Sequence, residues 1–405
     1  MRTKRCYKVA FIVSYPTPNI PTFYQNIALH PRIEITVYYY SKAVLERCAD
    51  YGIRNEDWGV SLLGKFNYKF LKNFSIWRGR NNPFKFINPQ IFIEIKKNCF
   101  DAIVLGCWDN VTSWLAILAA KVFGTHIIVM SDSNYIAEQG KPKYKLLIKG
   151  LLLGKCLFPI ATACLYPGTV VEEFYKLYGV GEDKLFHFPY SIDTDQFLAL
   201  YQDLKDKKIL LRSEMGTPED AFVILFVGRL HDDDMPMDLL KAFEQVKFEK
   251  KTLIFVGDGP LKKDLQDYTC QHNLEHVYSQ GFQNREKILR FYASADLFVH
   301  PASIEPWGVT VHEAMCFGLP VIATDKVGSA VDFVKHNQNG FVYPCGDIKG
   351  LASYIEELAV DKEKRENFGK TSLEIVKNWG RKKASDSLIE ALDFIYRDYP
   401  ERDGD

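Results

Sequence analysis

A chain of 405 residues with 47% apolar and 25% charged side chains has the composition of an ordinary folded protein and the length of two domains, each able to bury its own core. Its nine cysteines include no Cys-x-x-Cys pair, which argues against a zinc site or a disulfide framework and for reduced, cytosolic thiols. The net charge of zero hides an asymmetry between halves that signals a partner: residues 1–160 hold 22 Lys and Arg against 10 Asp and Glu, and the remainder holds 29 against 41.

The first apolar run, Val9 to Val13, is a strand and too short for a signal peptide; no stretch approaches the roughly 20 apolar residues of a membrane span. A helix from about Thr22 to Leu29 and a strand over Ile33 to Tyr40 follow. Residues 52–90, rich in aromatic, Asn and Lys side chains, are expected to be an irregular surface excursion. Then come a strand over Ala102 to Leu105, a helix over Asn110 to Phe123, and a strand over Ile127 to Met130. Strands separated by helices imply a parallel, doubly wound sheet.

Lys141 to Lys155 is the densest basic patch, with five lysines, no acid and interleaved leucines. A basic apolar helix of this kind suits an anionic bilayer surface. It equally suits an amphipathic helix lying on the core with its lysines solvated. Lys65, Lys69, Lys72, Arg78, Arg80 and Lys85 extend the same sign upstream. No nucleic-acid partner is expected.

From Gln196 to Asp220 the sequence turns charged and loses periodicity, as an interdomain connection does. A second strand–helix series then runs through Phe222 to Gly228, Thr252 to Gly257, His276 to Gly281, Leu297 to Pro301 and Pro320 to Thr324, with a last helix near Ala384 to Tyr396. Within it, Glu305-Pro-Trp-Gly-Val-Thr-Val-His-Glu313 bridges a strand and a helix that opens at Gly308 and closes at Gly318. Ligands of open parallel sheets collect outside the carboxyl ends of strands, and a helix N-terminus there offers free N–H groups to a phosphate. Two acceptor carboxylates beside it suit a ligand with a diphosphate and several hydroxyls, such as a sugar nucleotide.

The series Phe226-Val227-Gly228-Arg229-Leu230, Gly257-Asp258-Gly259-Pro260, Gln280-Gly281-Phe282, Ala295-Asp296-Leu297-Phe298-Val299-His300-Pro301, the glutamate pair and Asn339-Gly340-Phe341 resembles, in order and spacing, the retaining glycosyltransferases of the group 1 family. The resemblance implies an α/β protein of GT-B architecture: two doubly wound, Rossmann-like domains facing a central cleft. The expected domains are 1–200, on the acceptor side, and 201–380, which binds the nucleotide sugar, with a helix at about 381–405 packing back onto the first. By motif position, Arg229 holds the donor diphosphate, Glu305 accepts from hydroxyls of the transferred sugar, and Glu313 accepts from the ribose. Gly228 and the amides of Trp307, Gly308 and Val309 face sugar and diphosphate, and Gly281 and Phe282 meet the base. Trp108 and Asp109, at a strand's carboxyl end, are candidates for acceptor contacts. His126 and His187 read as structural.

Two departures stand out. Relatives carry a Lys a few residues after the Arg, whereas this chain reads His231-Asp-Asp-Asp234-Met-Pro-Met-Asp-Leu-Leu240, with Asp234 a candidate helix N-cap. A cation from elsewhere, a divalent metal on the aspartates, or weakened catalysis would each accommodate this. The first loop, Ser14-Tyr-Pro-Thr-Pro-Asn-Ile-Pro21, also lacks the family's glycines. The expectation is a metal-independent, cofactor-free hexosyltransferase acting on a lipid-linked or surface-polysaccharide precursor, cytoplasmic and peripheral to the membrane. The alternatives are a catalytically impaired nucleotide-sugar-binding protein, or an epimerase or phosphorylase of the same fold. Dinucleotide oxidoreductases are disfavoured, since no G-x-G-x-x-G follows a strand.

Overall fold

The computed structural model describes residues 5–16, 20–42, 63–77, 82–139, 141–189 and 192–397. Thr17, Pro18 and Asn19 of the first loop and the basic Arg78 and Arg80 lie outside them. The described residues fall into two units: one takes the chain up to 189 and again from Arg381, and the other is Ile192–Gly380.

In the first unit, runs of Val, Ile, Phe and Tyr make seven parallel strands: β1 Tyr7–Val13, β2 Ile33–Tyr39, β3 Asn67–Phe70, β4 Ala102–Leu105, β5 His126–Met130, β6 Ala163–Tyr166 and β7 Leu185–His187. Their order is β3-β2-β1-β4-β5-β6-β7, so the winding reverses between β1 and β4. Because helices cover both faces, central strands read as unbroken apolar runs, and Val9 to Ile12 is wholly buried. The sequence reading missed β3 inside the stretch expected to be irregular. Asn-Tyr-Lys-Phe is a short edge strand with three exposed residues, which leaves no apolar run to detect. The final helix, Arg381–Tyr396, buries Leu388, Leu392 and Ile395 in the same core as Val9, Phe11 and Ile35. Its Asp393 accepts from Tyr7 Oη at 2.6 Å and from both terminal nitrogens of Arg32.

The second unit has six parallel strands: β8 Phe222–Val227, β9 Lys251–Val256, β10 Val277–Ser279, β11 Leu297–His300, β12 Val321–Thr324 and β13 Gly340–Tyr343. The order β10-β9-β8-β11-β12-β13 reverses between β8 and β11. The segment expected to be a connection, Gln196 to Asp220, instead contributes two helices to this unit, Thr194–Leu204 and Lys208–Glu214. Phe197 is buried against Phe317, and the division falls before Ile192 rather than at 200. Hydrophobic periodicity could not find the second helix because Ile209 and Leu210 are exposed and its buried residues are one leucine, Leu211, and an arginine. Buried Arg212 donates to the carbonyls of Ser294, Glu219 and Ala221 and to Asp296.

Candidate active site

The reversal between β8 and β11 is where an open α/β sheet binds its ligand. Gly228 and Arg229 leave the carboxyl end of β8, and the loop carrying Glu305 leaves that of β11. A Cβ on Gly257 would come within 1.8 Å of the Gly228 carbonyl oxygen, so a glycine is required for the loop after β9 to close against this turn. Gly308, at φ 90°, caps the helix Val309–Cys316 from the left-handed region, wedged between Val327, Ser329 and Glu305. Ser329 fixes that turn: its amide donates to the Trp307 carbonyl at 2.7 Å and its hydroxyl to that of Gly308. The first amides of the helix thus sit beside Glu305 in a braced loop.

Glu305 Oε1 accepts from the Trp307 amide at 3.2 Å, and Oε2 lies 3.8 Å from His300 Nε2, beyond hydrogen-bond range. Burial pushes this carboxyl up, but His300, the Trp307 amide and Arg229 together outweigh burial and hold it below the usual carboxylate range. His300 is buried, and neither ring nitrogen has a hydrogen-bond partner.

Arg229 meets Asp234 at 3.1 Å, out of hydrogen-bond alignment. Asp234 is not the helix N-cap expected from the sequence. The turn Asp232–Asp234 ends at Met235 in the left-handed conformation (φ 51°), and the helix begins at Pro236. That turn frees the Asp234 carboxylate to point at Arg229, where burial pushes its pKa up against the pull of Arg229 and His300. Asp232 and Asp233 remain exposed, and the Asp233 carbonyl accepts from Ser303. The negative charge of this segment therefore reaches the site chiefly as a buried counter-ion that orients Arg229. Among the described residues, no group of three or more His, Cys, Asp or Glu is arranged to hold a metal.

Glu313 lies further along the same helix and accepts from Tyr292 Oη at 3.0 Å. Burial raises its pKa, with Arg285 and Tyr292 pulling it back. Gly281, at φ 65°, accepts from the Gly257 amide at 2.9 Å, and Phe282 beside it is half-buried. The Trp307 ring turns away into a cluster with Phe333 and Trp379. Next to it, fully buried His312 is pushed down to about 3 by desolvation and meets Thr194 Oγ1 at 3.2 Å. Sequence reasoning missed His300, the orientation of Asp234 and Tyr292. Only His300 left a signal, as a titratable residue closing an otherwise apolar strand.

In the first unit, Trp108 and Asp109 follow β4 at that unit's own reversal. Half-buried Trp108 has Lys149 Nζ 5.3 Å from its ring, while Asp109 is exposed. His126 packs on Tyr396 and His187 on Tyr166.

Two doubly wound parallel sheets of this kind define the GT-B class of glycosyltransferase fold. HepE of Anabaena, solved in complex with UDP and glucose, superposes with a TM-score of 0.70 at 18% identity, covering 96% of this chain and 99% of that one. Residues 207–374 match the model of glycosyl transferases group 1. The sulfoquinovosyl transferase of Arabidopsis thaliana is 26% identical over 71% of this chain and 55% of its own length. The UDP-Gal:alpha-D-GlcNAc-diphosphoundecaprenol alpha-1,3-galactosyltransferase of Escherichia coli is 26% identical over 67% of this chain and 70% of its own. The chain spans about half the length of several relatives that it matches.

Proposed function

We propose that the protein is a retaining glycosyltransferase that moves a hexose from a nucleoside diphosphate sugar to a hydroxyl of a lipid-linked or surface-polysaccharide precursor, at the cytoplasmic face of a membrane and without a metal. The observation that carries this reading is the convergence of Arg229, the helix opening at Gly308 and ionised Glu305 on one sheet reversal. In the step proposed, the acceptor oxygen bonds to the anomeric carbon as the bond to the β-phosphate oxygen breaks on the same face. The acceptor's proton passes to the departing phosphate. Arg229 and the helix amides stabilise the charge growing on that phosphate, a role worth about 3–4 kcal/mol where single donors have been removed. Glu305 accepts from hydroxyls of the transferred sugar, and Glu313 from those of the ribose. The acceptor class is supported by the positive surplus of the first half and by the lipid-diphosphate substrate in the name of the Escherichia coli relative.

The rival is a protein that binds sugar nucleotides without turnover, favoured by the lack of a lysine between Arg229 and Lys241 and by the Asp234 carboxylate beside Arg229. Thermal shift with UDP, GDP, ADP and dTDP, followed by donor hydrolysis with the best binder, separates the two. Slow hydrolysis that disappears in Glu305→Ala supports the transferase. Tight binding with neither hydrolysis nor transfer to any acceptor tried supports the rival, and no binding at all would remove the site assignment.

A further inference from the structure

The segment Lys141–Leu157 is built inside out. An α-helix, Lys143–Lys149, runs on into a π-helical stretch, Gly150–Leu157. A surface helix ordinarily turns its apolar stripe to the core and its charges to water. Here Tyr144, Leu147, Ile148, Leu151 and Leu152 face outward, with exposures from 40% at Leu152 to 66% at Leu147. The spacing of Tyr144, Leu147, Ile148 and Leu151 makes them a single stripe.

The inward side carries an ion pair instead. Lys149 Nζ lies 2.6 Å from Glu138 Oε1 and 4.6 Å from the centre of the Phe174 ring, and Tyr178 Oη donates to Glu138 Oε2 at 3.0 Å. Fully buried Leu153 and Leu157 complete that side. A lysine held this way cannot roll outward without giving up the shorter of the two ion pairs on buried Glu138, the other being Lys141 at 3.1 Å, so the apolar stripe is held facing solvent. Lys143 and Lys145 flank the stripe and Lys155 continues it, all three exposed and without an ion pair among the described residues.

We propose that this stripe docks on an anionic phospholipid bilayer, with the five apolar side chains seated at the acyl boundary and Lys143, Lys145 and Lys155 among the headgroup phosphates. Unpaired cations around an apolar face match a surface that is negative outside and apolar beneath. A second copy of the chain is disfavoured, because a two-fold contact through this stripe would set the same lysines against one another. The inference rests on the first unit alone and does not depend on the sugar-nucleotide reading.

The test is co-sedimentation of the full chain, without nucleotide, with vesicles of phosphatidylcholine alone and of phosphatidylcholine mixed with phosphatidylglycerol. Binding to the anionic vesicles only is expected. Each surface lysine contributes about fivefold, so the triple variant Lys143→Gln, Lys145→Gln, Lys155→Gln should lower partitioning roughly a hundredfold. Leu147→Ser, Ile148→Ser, Leu151→Ser should abolish binding with a melting temperature little changed, since these side chains are more than half exposed in the free protein. Equal binding to both vesicle types, binding to neither, or a lipid-free dimer that the serine variant dissolves would each overturn the proposal.

Discussion

The two sheets are alike at their amino edges and unlike at their carboxyl edges. At the amino edge, each unit places an aspartate just before the first strand across its reversal. Asp101 accepts from the Lys8 amide at 2.8 Å and pairs with Arg5; Asp296 accepts from the Val223 amide at 2.8 Å and pairs with Arg212 and Lys208. At the carboxyl edge the correspondence ends. The second unit gathers Arg229, Asp234, His300 and Glu305 at its reversal. The first gathers Cys107, in contact with Ser14, Tyr40 and Asn110, with Asp109 exposed beside them. One topology supplies the same clasp twice, where it ties strands together. At the edge where ligands bind, the two units differ.

The sharpest test of the shared clasp is Asp296→Asn. Burial opposes ionisation of Asp296, yet Lys208 and Arg212 hold its carboxyl below the usual range. Removing the charge leaves buried Arg212 uncompensated, at an expected cost of about 3–5 kcal/mol in chemical denaturation. Because the folded-state pKa is depressed, the stabilisation is present above the unfolded value and is lost as pH falls through the folded one. The variant should therefore show a flatter acid limb of stability. An equal loss in Asp101→Asn, whose partner Arg5 is more exposed, would show that burial does not distinguish the two clasps.

At the edge where the units differ, Arg229→Ala is expected to cost about a hundred- to a thousandfold in donor turnover at saturation. Retained turnover would mean that the charged reversal is not the reaction centre. Glu313→Gln should separate binding from stability. Burial raises the Glu313 carboxyl, so its ionised form costs folding energy at neutral pH, and glutamine should raise the melting temperature. Nucleotide affinity should fall by roughly tenfold or more, the worth of hydrogen bonds to a charged acceptor. A lower melting temperature would contradict the assigned cause of the shift.

Much of the second unit could be read from sequence because its signals are local. A strand end, a glycine and a helix start within a few residues place Glu305, Gly308 and Glu313 at one carboxyl edge, and Pro236 opens a helix as its fixed φ suggests. What escaped depends on geometry that no period encodes. Asp234 faces Arg229 only because Met235 takes a left-handed turn, and the helix around Arg212 is held by hydrogen bonds that look like charged linker in the sequence. For Lys141 to Lys155, periodicity gave a stripe but not its direction. Glu138, outside the segment, decides which side turns inward by pairing with Lys149.

The smallest expected effect addresses His300, which has no counterpart among the groups around Cys107. It lies 3.8 Å from Glu305, buried and without a hydrogen bond, and helps keep that carboxyl ionised against the cost of burial. Replacing the imidazole with an amide, His300→Asn, leaves burial in place and weakens what opposes it. The Glu305 pKa then rises toward or beyond its ordinary value. If ionised Glu305 is what grips the sugar, the acid limb of donor hydrolysis moves to higher pH, with the plateau rate little changed. A lowered plateau with an unmoved limb would instead make His300 a packing residue. Glu305 would then owe its ionisation to the Trp307 amide and Arg229, a charged edge sustained by its loop and its arginine alone.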